Sequence, residues 1–571
     1  MPKFCPVLNL HLYLLSVLCA EGCLPGLQQS HFATCQDSPT YLLQLSKSHL
    51  SKSPLPSSAA GISVLPAPKK LLVSPSRGVL RLGAHPRLIV QTPSSASRTA
   101  LEEHFLAKLG AEVVSNSEAA PKVRLLINLD ANYSSEAYFL AVTGSEVKIE
   151  AATEHGLFYG LMTLRQLLTV SSDSSWSLPM LEIWDAPVYE WRGLMLDVSR
   201  HFFPKEDVKR LLHSMALFKM NRFHWHLTDD QGWRFPVAKY PLLVQQGAYR
   251  RGSQVGHNDK GDDRVPYNNS YTAEDIDDIV MFATSLHIQV VPEFDLPGHS
   301  AAAVAAYPEF GNKDAFDRMP EVATQFLSIN PNTLSPDEKA VHFGKEVLDE
   351  LARLVPSPYL HVGGDEVPTE QWSRSKIATK VALAHHLKPE NLEKFMLEQM
   401  GAHVTNSLGR TAVVWDEALT SKAKLPAGSV VMLWRHWQGL DTLGNLAAAQ
   451  DLPVVMAPMG WTYLDYGQEA NGNEKFEAKT GFLPLWKVYN MPMSAGRAKV
   501  LGGQGQVWSE YISGSDNLDH KVWPRACALA EATWSGASKP GFKDFMRRLR
   551  DRVTDLRELK VKFRELDPDG D

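Results

Sequence analysis

From about Glu190 onward the chain alternates short apolar, β-branched runs with amphipathic helical stretches. Such alternation confines a chain to a parallel sheet covered by helices. The runs begin with Arg192-Gly-Leu-Met-Leu-Asp-Val, Arg222-Phe-His-Trp-His-Leu, Ile288-Gln-Val-Val-Pro-Glu-Phe and Tyr359-Leu-His-Val. Thr411-Ala-Val-Val-Trp, Ser429-Val-Val-Met-Leu-Trp, Leu452-Pro-Val-Val-Met and Gly505-Gln-Val-Trp complete them. Between the first two, Pro204 opens a helix with Glu206 and Asp207 in its first turn, where a proline and negative charge are both tolerated. Val208, Leu211, Leu212, Met215 and Phe218 give that helix one buried stripe, and Thr272 caps another striped by Ile276, Ile279, Val280, Ala283 and Leu286. A last helix is striped by Phe542, Phe545, Leu549, Val553 and Leu556. Eight strands of this kind are the number a (β/α)8 TIM barrel needs. The alternative, an open doubly wound sheet, lacks its usual Gly-rich phosphate loop after the first strand.

The remaining chain, of 571 residues in all, leaves room for a second module. Val7 to Ala20 is an apolar run after Lys3, too short to span a membrane and similar to a secretory leader. Residues 1–26 are therefore expected to be a signal peptide, and the protein to be exported. A Ser/Pro-rich linker is expected over 27–79. From 80 to 188 the pattern is that of a small α+β domain. Arg124-Leu-Leu-Ile-Asn is a strand, and Glu136–Thr143 and Val147–Ala151 alternate around a Thr-Gly-Ser-Glu turn. A helix from Gly156 follows. Residues 189–571 form the barrel.

Net charge of −6 gives no reason to expect nucleic acid or an anionic membrane as partner. Of five cysteines, Cys527 alone lies outside the first 35 residues, which leaves no disulfide framework or zinc spacing in the folded body.

Enzymes built on barrels place their chemistry at the C-terminal strand ends. Those ends carry Asp197-Val-Ser-Arg200, Asp229-Asp-Gln-Gly-Trp233, Glu293-Phe-Asp-Leu-Pro-Gly-His299 and Asp365-Glu366. The later four carry Trp415-Asp-Glu417, Trp434-Arg-His436, Trp461-Thr-Tyr463-Leu-Asp465 and Trp508-Ser-Glu510. Carboxylates, an arginine and aromatic walls suit a sugar, whose apolar faces stack on indole while its hydroxyls meet charged acceptors. His224 and His226 lie on one strand face without a spaced third ligand in sequence, so hydrogen-bonding or packing roles are expected of them.

The order of these motifs resembles glycoside hydrolase family 20, the β-N-acetylhexosaminidases. Carrying it are Asp197-Val-Ser-Arg-His, His224-Trp-His-Leu-Thr-Asp-Asp, Pro292-Glu-Phe-Asp-Leu-Pro-Gly-His and His361-Val-Gly-Gly-Asp-Glu. Val414-Trp-Asp-Glu, Trp461-Thr-Tyr-Leu-Asp and Val507-Trp-Ser-Glu continue it. The segment from Glu136-Ala-Tyr to Gly156-Leu-Phe-Tyr-Gly resembles the family's small N-terminal domain. The resemblance implies a barrel hydrolase that removes terminal β-linked GlcNAc or GalNAc with retention. The nucleophile would be the substrate's own 2-acetamido group. Glu366 would be the general acid and base, its pKa raised by burial. Asp365 would orient the acetamide, and Tyr463 would bind its carbonyl oxygen. Arg200, Asp465 and Glu510 would bind hydroxyls, while Trp415, Trp434 and Trp508 would enclose the acetamide and ring. Asp229 and His299 would form a hydrogen-bonded chain to Glu366. No metal or organic cofactor is implied, and the molecule would act as a monomer or homodimer on a glycan. A neutral terminal sugar is expected, because no Arg or Lys adjoins Asp465 in sequence. A binder that has lost catalysis and a disaccharide-releasing hydrolase are the rival readings.

Overall fold

The computed structural model describes residues 61–567, apart from 75–77, 84–86, 92–111, 114–121, 130–131, 171–175, 258–260, 327–328 and 470–473. The expected leader over 1–26 lies outside these residues. The small domain is a sheet ordered Lys70–Val73, Leu181–Asp185, Tyr138–Val142, Glu146–Ala151, Lys122–Ile127, Arg87–Gln91 and Glu112–Val113. The antiparallel pair Tyr138–Val142 and Glu146–Ala151 turns at the expected Thr-Gly-Ser-Glu. One helix, Glu154–Leu167, capped by the Thr153 side chain, lays its buried face on them.

One boundary moves. Part of the stretch expected as linker over 27–79 is folded: Val64 and Leu65 are buried, and Lys70–Val73 pairs with Leu181–Asp185. Its short apolar runs are hidden in a Pro-rich context, so composition masks what burial decides.

The barrel closes as eight parallel strands in chain order. They are β1 (Trp191–Asp197), β2 (Arg222–His226), β3 (Gln289–Glu293), β4 (Tyr359–His361), β5 (Thr411–Trp415), β6 (Val430–Leu433), β7 (Val454–Met456) and β8 (Val500–Val507). Every expected strand is present. β8 starts earlier than Gly505, running through Gly502 and Gly503, which carry no side chain to signal a strand. The helix Lys205–Leu217 starts directly after Pro204, and Thr272 closes a reciprocal capping box with Asp275 at the head of Ala273–Ser285.

Inside the barrel the layers change character. Trp191, Met195, Val291, Val413, Val430 and Met432 form an apolar floor. Beside them in register, His224 next to Met195 and Val291 and His361 next to Val413 are fully buried yet polar, as are Glu293 and Gln504. Gln504 links the two, accepting from the Trp191 indole at 3.1 Å and lying 2.9 Å from His224 Nδ1. The final helix, Phe542–Glu558, ties the module ends together: Arg548 pairs with Glu531 and donates to the Val64 carbonyl. Among the described residues, no helix is long and apolar enough to cross a membrane.

Candidate active site

β4 is only three residues long because the chain turns sharply after His361. Gly363 and Gly364 sit at φ +66° and +103°. A Cβ on Gly363 would lie 1.6 Å from Asp295 Oδ1, so no other residue fits there. Gly364 N donates to the same oxygen at 3.2 Å. This turn delivers Asp365 and Glu366 to one side of the pocket. Glu366 itself, and His299 opposite it, both hold φ +48°. Left-handed backbone in non-glycine residues costs of order 1–3 kcal/mol and persists where the surroundings enforce it.

His299 is the centre of the arrangement. Its Nδ1 lies 3.2 Å from Asp229 Oδ1, and its Nε2 lies 3.7 Å from Asp365 Oδ2 and 3.6 Å from Glu366 Oε2. Burial works against its charge, but Asp229 and Asp365 outweigh burial and hold the ring protonated well above the ordinary histidine range. Asp229 is itself fixed by Arg200 Nη2 at 2.7 Å and His226 Nε2 at 2.9 Å. Arg200 also reaches Asp197 Oδ2 at 3.0 Å and Gln231 Oε1 at 2.9 Å, while its guanidinium lies over the Trp508 ring.

The two adjacent acids differ. Asp365 is buried, and burial, with Glu293 and Glu366 adding to it against the pull of His299, raises its pKa. The Glu366 side chain is 34% exposed. Burial was expected to raise Glu366; instead its pKa is lowered. Burial does push it up, but the charge of His299, 3.6 Å away and beyond hydrogen-bond distance, helped by Lys479 and Arg200, prevails. A cation in contact outweighs partial desolvation. The proton expected on Glu366 therefore rests next door, on His299.

The aromatic walls converge as expected. Trp415, Trp434, Tyr463 and Trp508 pack together: Tyr463 stacks on Trp434 at 6.2 Å, and Trp415 lies 6.0 Å from Trp508. Their indoles are pinned from behind. Trp415 donates to Glu293 Oε1 at 3.0 Å and Trp434 to Glu417 Oε2 at 2.9 Å. Burial drives the Tyr463 hydroxyl well above its usual pKa, so it stays a neutral donor. Asp465 and Glu510 close the remaining side. Both Asp465 oxygens and Glu510 Oε2 are buried without a hydrogen-bond partner. A small cleft, open to solvent, lies beside Arg200, Gln231 and Glu510. All eleven expected site residues thus fall on this one end of the barrel.

Two expectations change. His224 and His226 do have a third partner: Glu293 bridges them, lying 3.0 Å from His224 Nε2 and in contact with His226 Nδ1, with His361 Nδ1 at 2.9 Å. His224, Glu293 and His361 bring ligand atoms within 4.8 Å of one another, as do two related groups. The hydrogen-bonding role expected of the histidines is what the contacts show. Glu293, the last residue of β3, gains this role only through closure of the barrel. Second, a lysine does stand beside Asp465. Lys479 Nζ lies 3.8 Å from Asp465 Oδ2 and 5.5 Å from the Tyr463 ring centre. Strand Tyr466–Gly467 pairs with strand Lys479–Phe482, opposing Tyr466 to Lys479 across an intervening loop. Fourteen positions of sequence hid the contact, and no local pattern announces it.

The model of glycosyl hydrolase family 20, catalytic domain, matches residues 189–537, and that of domain 2 of the same family matches 61–186. A β-hexosaminidase of Porphyromonas gingivalis is 37% identical over 433 residues, 72% of this chain; the chain spans only 52% of that protein's length. A β-N-acetylhexosaminidase of Cellulomonas fimi is 31% identical over 499 residues, covering 86% of this chain and 93% of its own. The crystal structure of a family 20 exo-β-N-acetylglucosaminidase from Vibrio harveyi in complex with N-acetylglucosamine superposes with a TM-score of 0.77 at 28% identity, covering 88% of this chain and 78% of that one. The chain belongs to glycosyl hydrolase family 20.

Proposed function

We propose that the protein is an exo-β-N-acetylhexosaminidase that removes terminal β-linked GlcNAc or GalNAc with retention, using the substrate's 2-acetamido group as nucleophile. One observation carries this reading: consecutive carboxylates, Asp365 and Glu366, converge on the same nitrogen of His299 at 3.7 and 3.6 Å. Two acids on one side of a pocket cannot act as the opposed acid and nucleophile of the usual retaining pair. A substrate carrying its own nucleophile removes the need for that opposition.

In the first step the acetamide carbonyl oxygen attacks C1 and the glycosidic C1–O bond breaks. Glu366, the more exposed acid, passes a proton to the departing oxygen. The Asp229–His299–Glu366 arrangement supports this, since Nε2 of the His299 imidazolium lies 3.6 Å from Glu366 Oε2. Asp365 accepts from the acetamide N–H. Because burial disfavours its charge, the cationic oxazolinium forming beside it favours ionisation, so attraction is strongest as the bond breaks. Tyr463 donates to the acetamide oxygen. Trp415, Trp434 and Trp508 exclude water from the ring, and Arg200, Asp465 and Glu510 hold its hydroxyls. In the second step Glu366 takes a proton from water, which adds at C1 and reopens the acetamide. The apolar run from Val7 to Ala20 supports export; a monomer or homodimer is the expected state.

Nitrophenyl β-GlcNAc, β-GalNAc and β-glucoside assayed side by side test the reading. Turnover of the first two is expected, with the glucoside, which lacks the acetamide, inert. Efficient glucoside cleavage would refute the substrate-assisted mechanism.

A further inference from the structure

Lys479, met above only for its pull on Glu366, turns its ammonium to the pocket's hydroxyl-binding end. Its backbone N–H bonds the Asp465 carbonyl at 3.0 Å, which fixes strand register at that point. The loop leading to it is anchored from beneath, where Glu474 accepts from Glu469 N at 2.6 Å and from Lys521 Nζ at 2.9 Å. Asp465 needs such a neighbour. It is 1% exposed, and neither of its oxygens has a hydrogen-bond partner.

Other charged and titratable groups surround it from every side: Tyr463 and Tyr466 on its own segment, Glu510 and Tyr511 after β8, and Lys521 and Arg525 from the helices behind. The two helical cations are already engaged. Arg525 spends its donors on the carbonyls of Leu464, Tyr466, Leu483 and Lys521, and Lys521 is paired with Glu474. Arg200 is held by Asp197 and Asp229. Among the described residues, Lys479 is the cation within ion-pair reach of Asp465.

We propose that Lys479 is a positioning residue: its ammonium supplies the counter-charge that keeps Asp465 an acceptor for the hydroxyls of the terminal sugar. The pair is a device for neutral sugars built from a half-buried lysine at the start of strand Lys479–Phe482, and it rests on the reading of Asp465 as a hydroxyl binder given above. Burial lifts Asp465 to about 6 even with Lys479 opposing it, while Glu510 adds to the rise. Without the lysine the carboxyl would take up its proton at a higher pH, since an opposite charge at this range moves a carboxyl by roughly 1–3 units. A protonated Asp465 loses acceptor capacity, and binding weakens with it.

The test compares full-length wild type with Lys479→Met and Lys479→Arg, measuring KM and kcat on nitrophenyl β-GlcNAc from pH 5 to 9. Lys479→Met is expected to raise KM by about five- to tenfold near pH 6.5, narrowing to about twofold above pH 8.5, with the change in kcat, which follows from the lesser pull of Lys479 on Glu366, smaller than the change in KM. Lys479→Arg restores the wild-type profile. A KM offset equal at every pH, or none at all, overturns the proposal. So does a loss in Lys479→Met confined to 6-sulfated nitrophenyl β-GlcNAc, which would make the lysine a receptor for the substrate's own anion. If wild type cleaves no β-N-acetylhexosaminide, the proposed activity fails separately. The lysine is then judged by calorimetric binding of N-acetylglucosamine across the same pH range, where absent binding or a pH-independent difference overturns it.

Discussion

Two clusters of buried charge occupy opposite ends of the barrel, and they are finished differently. At the N-terminal end, Asp185 of the small domain accepts from Trp534 Nε1 at 3.0 Å, Lys69 N at 3.1 Å and Ala186 N at 3.0 Å on one oxygen. Its other oxygen meets Tyr138 OH at 2.7 Å and Lys219 Nζ at 3.0 Å. Nearby, Arg192 of β1 holds Glu136 through two bonds, at 2.8 and 3.0 Å, and the Lys219 carbonyl at 2.8 Å. Every charge there has its partners. At the C-terminal end, Asp295 Oδ2, Asp365 Oδ1, both Asp465 oxygens and Glu510 Oε2 are equally buried and lack hydrogen-bond partners. A fold spends satisfied charges on holding domains together. It leaves acceptors unsatisfied where a ligand is to supply the donors.

The contrast can be broken from either end. The largest effect is expected at the open cluster: Glu366→Gln removes the proposed proton donor and should cut kcat/KM on poor leaving groups by about a thousandfold while substrate still binds. Wild-type turnover in that variant would remove Glu366 from the chemistry. At the closed cluster, Asp185→Asn should leave the fully buried Lys219 without its counter-charge, costing about 3–5 kcal/mol of stability. Thermal unfolding reads that loss, and KM of the surviving enzyme should stay near wild type; a change in KM without loss of stability would erase the distinction between the two ends.

The smallest effect is expected in the link between proton and acid. Asp229 is the strongest of the groups that keep His299 protonated against burial. In Asp229→Asn the imidazolium should lose its proton at lower pH, so the alkaline limb of kcat/KM should move down by about one to two units. The sign follows from the direction of the shift: a raised pKa falls when its cause is removed. An unmoved limb would detach His299 from the proton supply.

Much of the architecture was legible in order along the chain. Periodicity separated eight strands from their helices because a strand buried on both faces must be apolar throughout, and an amphipathic helix must repeat near every 3.6 residues. Capping residues such as Thr272 marked ends for the same local reason. The folded run around Val64 and Leu71 was not legible, since its burial depends on Gln166, Glu531 and Leu181, each more than a hundred residues away.

At the site, the sequence by itself determined which side chains meet. Barrel closure brings strand ends together whatever lies between them, so residues carried at those ends must share one pocket. Only the tertiary structure decided their charge states and the identity of their further neighbours. Glu366 proved to be lowered rather than raised, Glu293 proved to bridge two histidines, and Lys479 came to rest beside Asp465. Charge state depends on distances of a few ångströms between residues remote in sequence, set by loop paths and strand register. Local pattern carries no record of such distances.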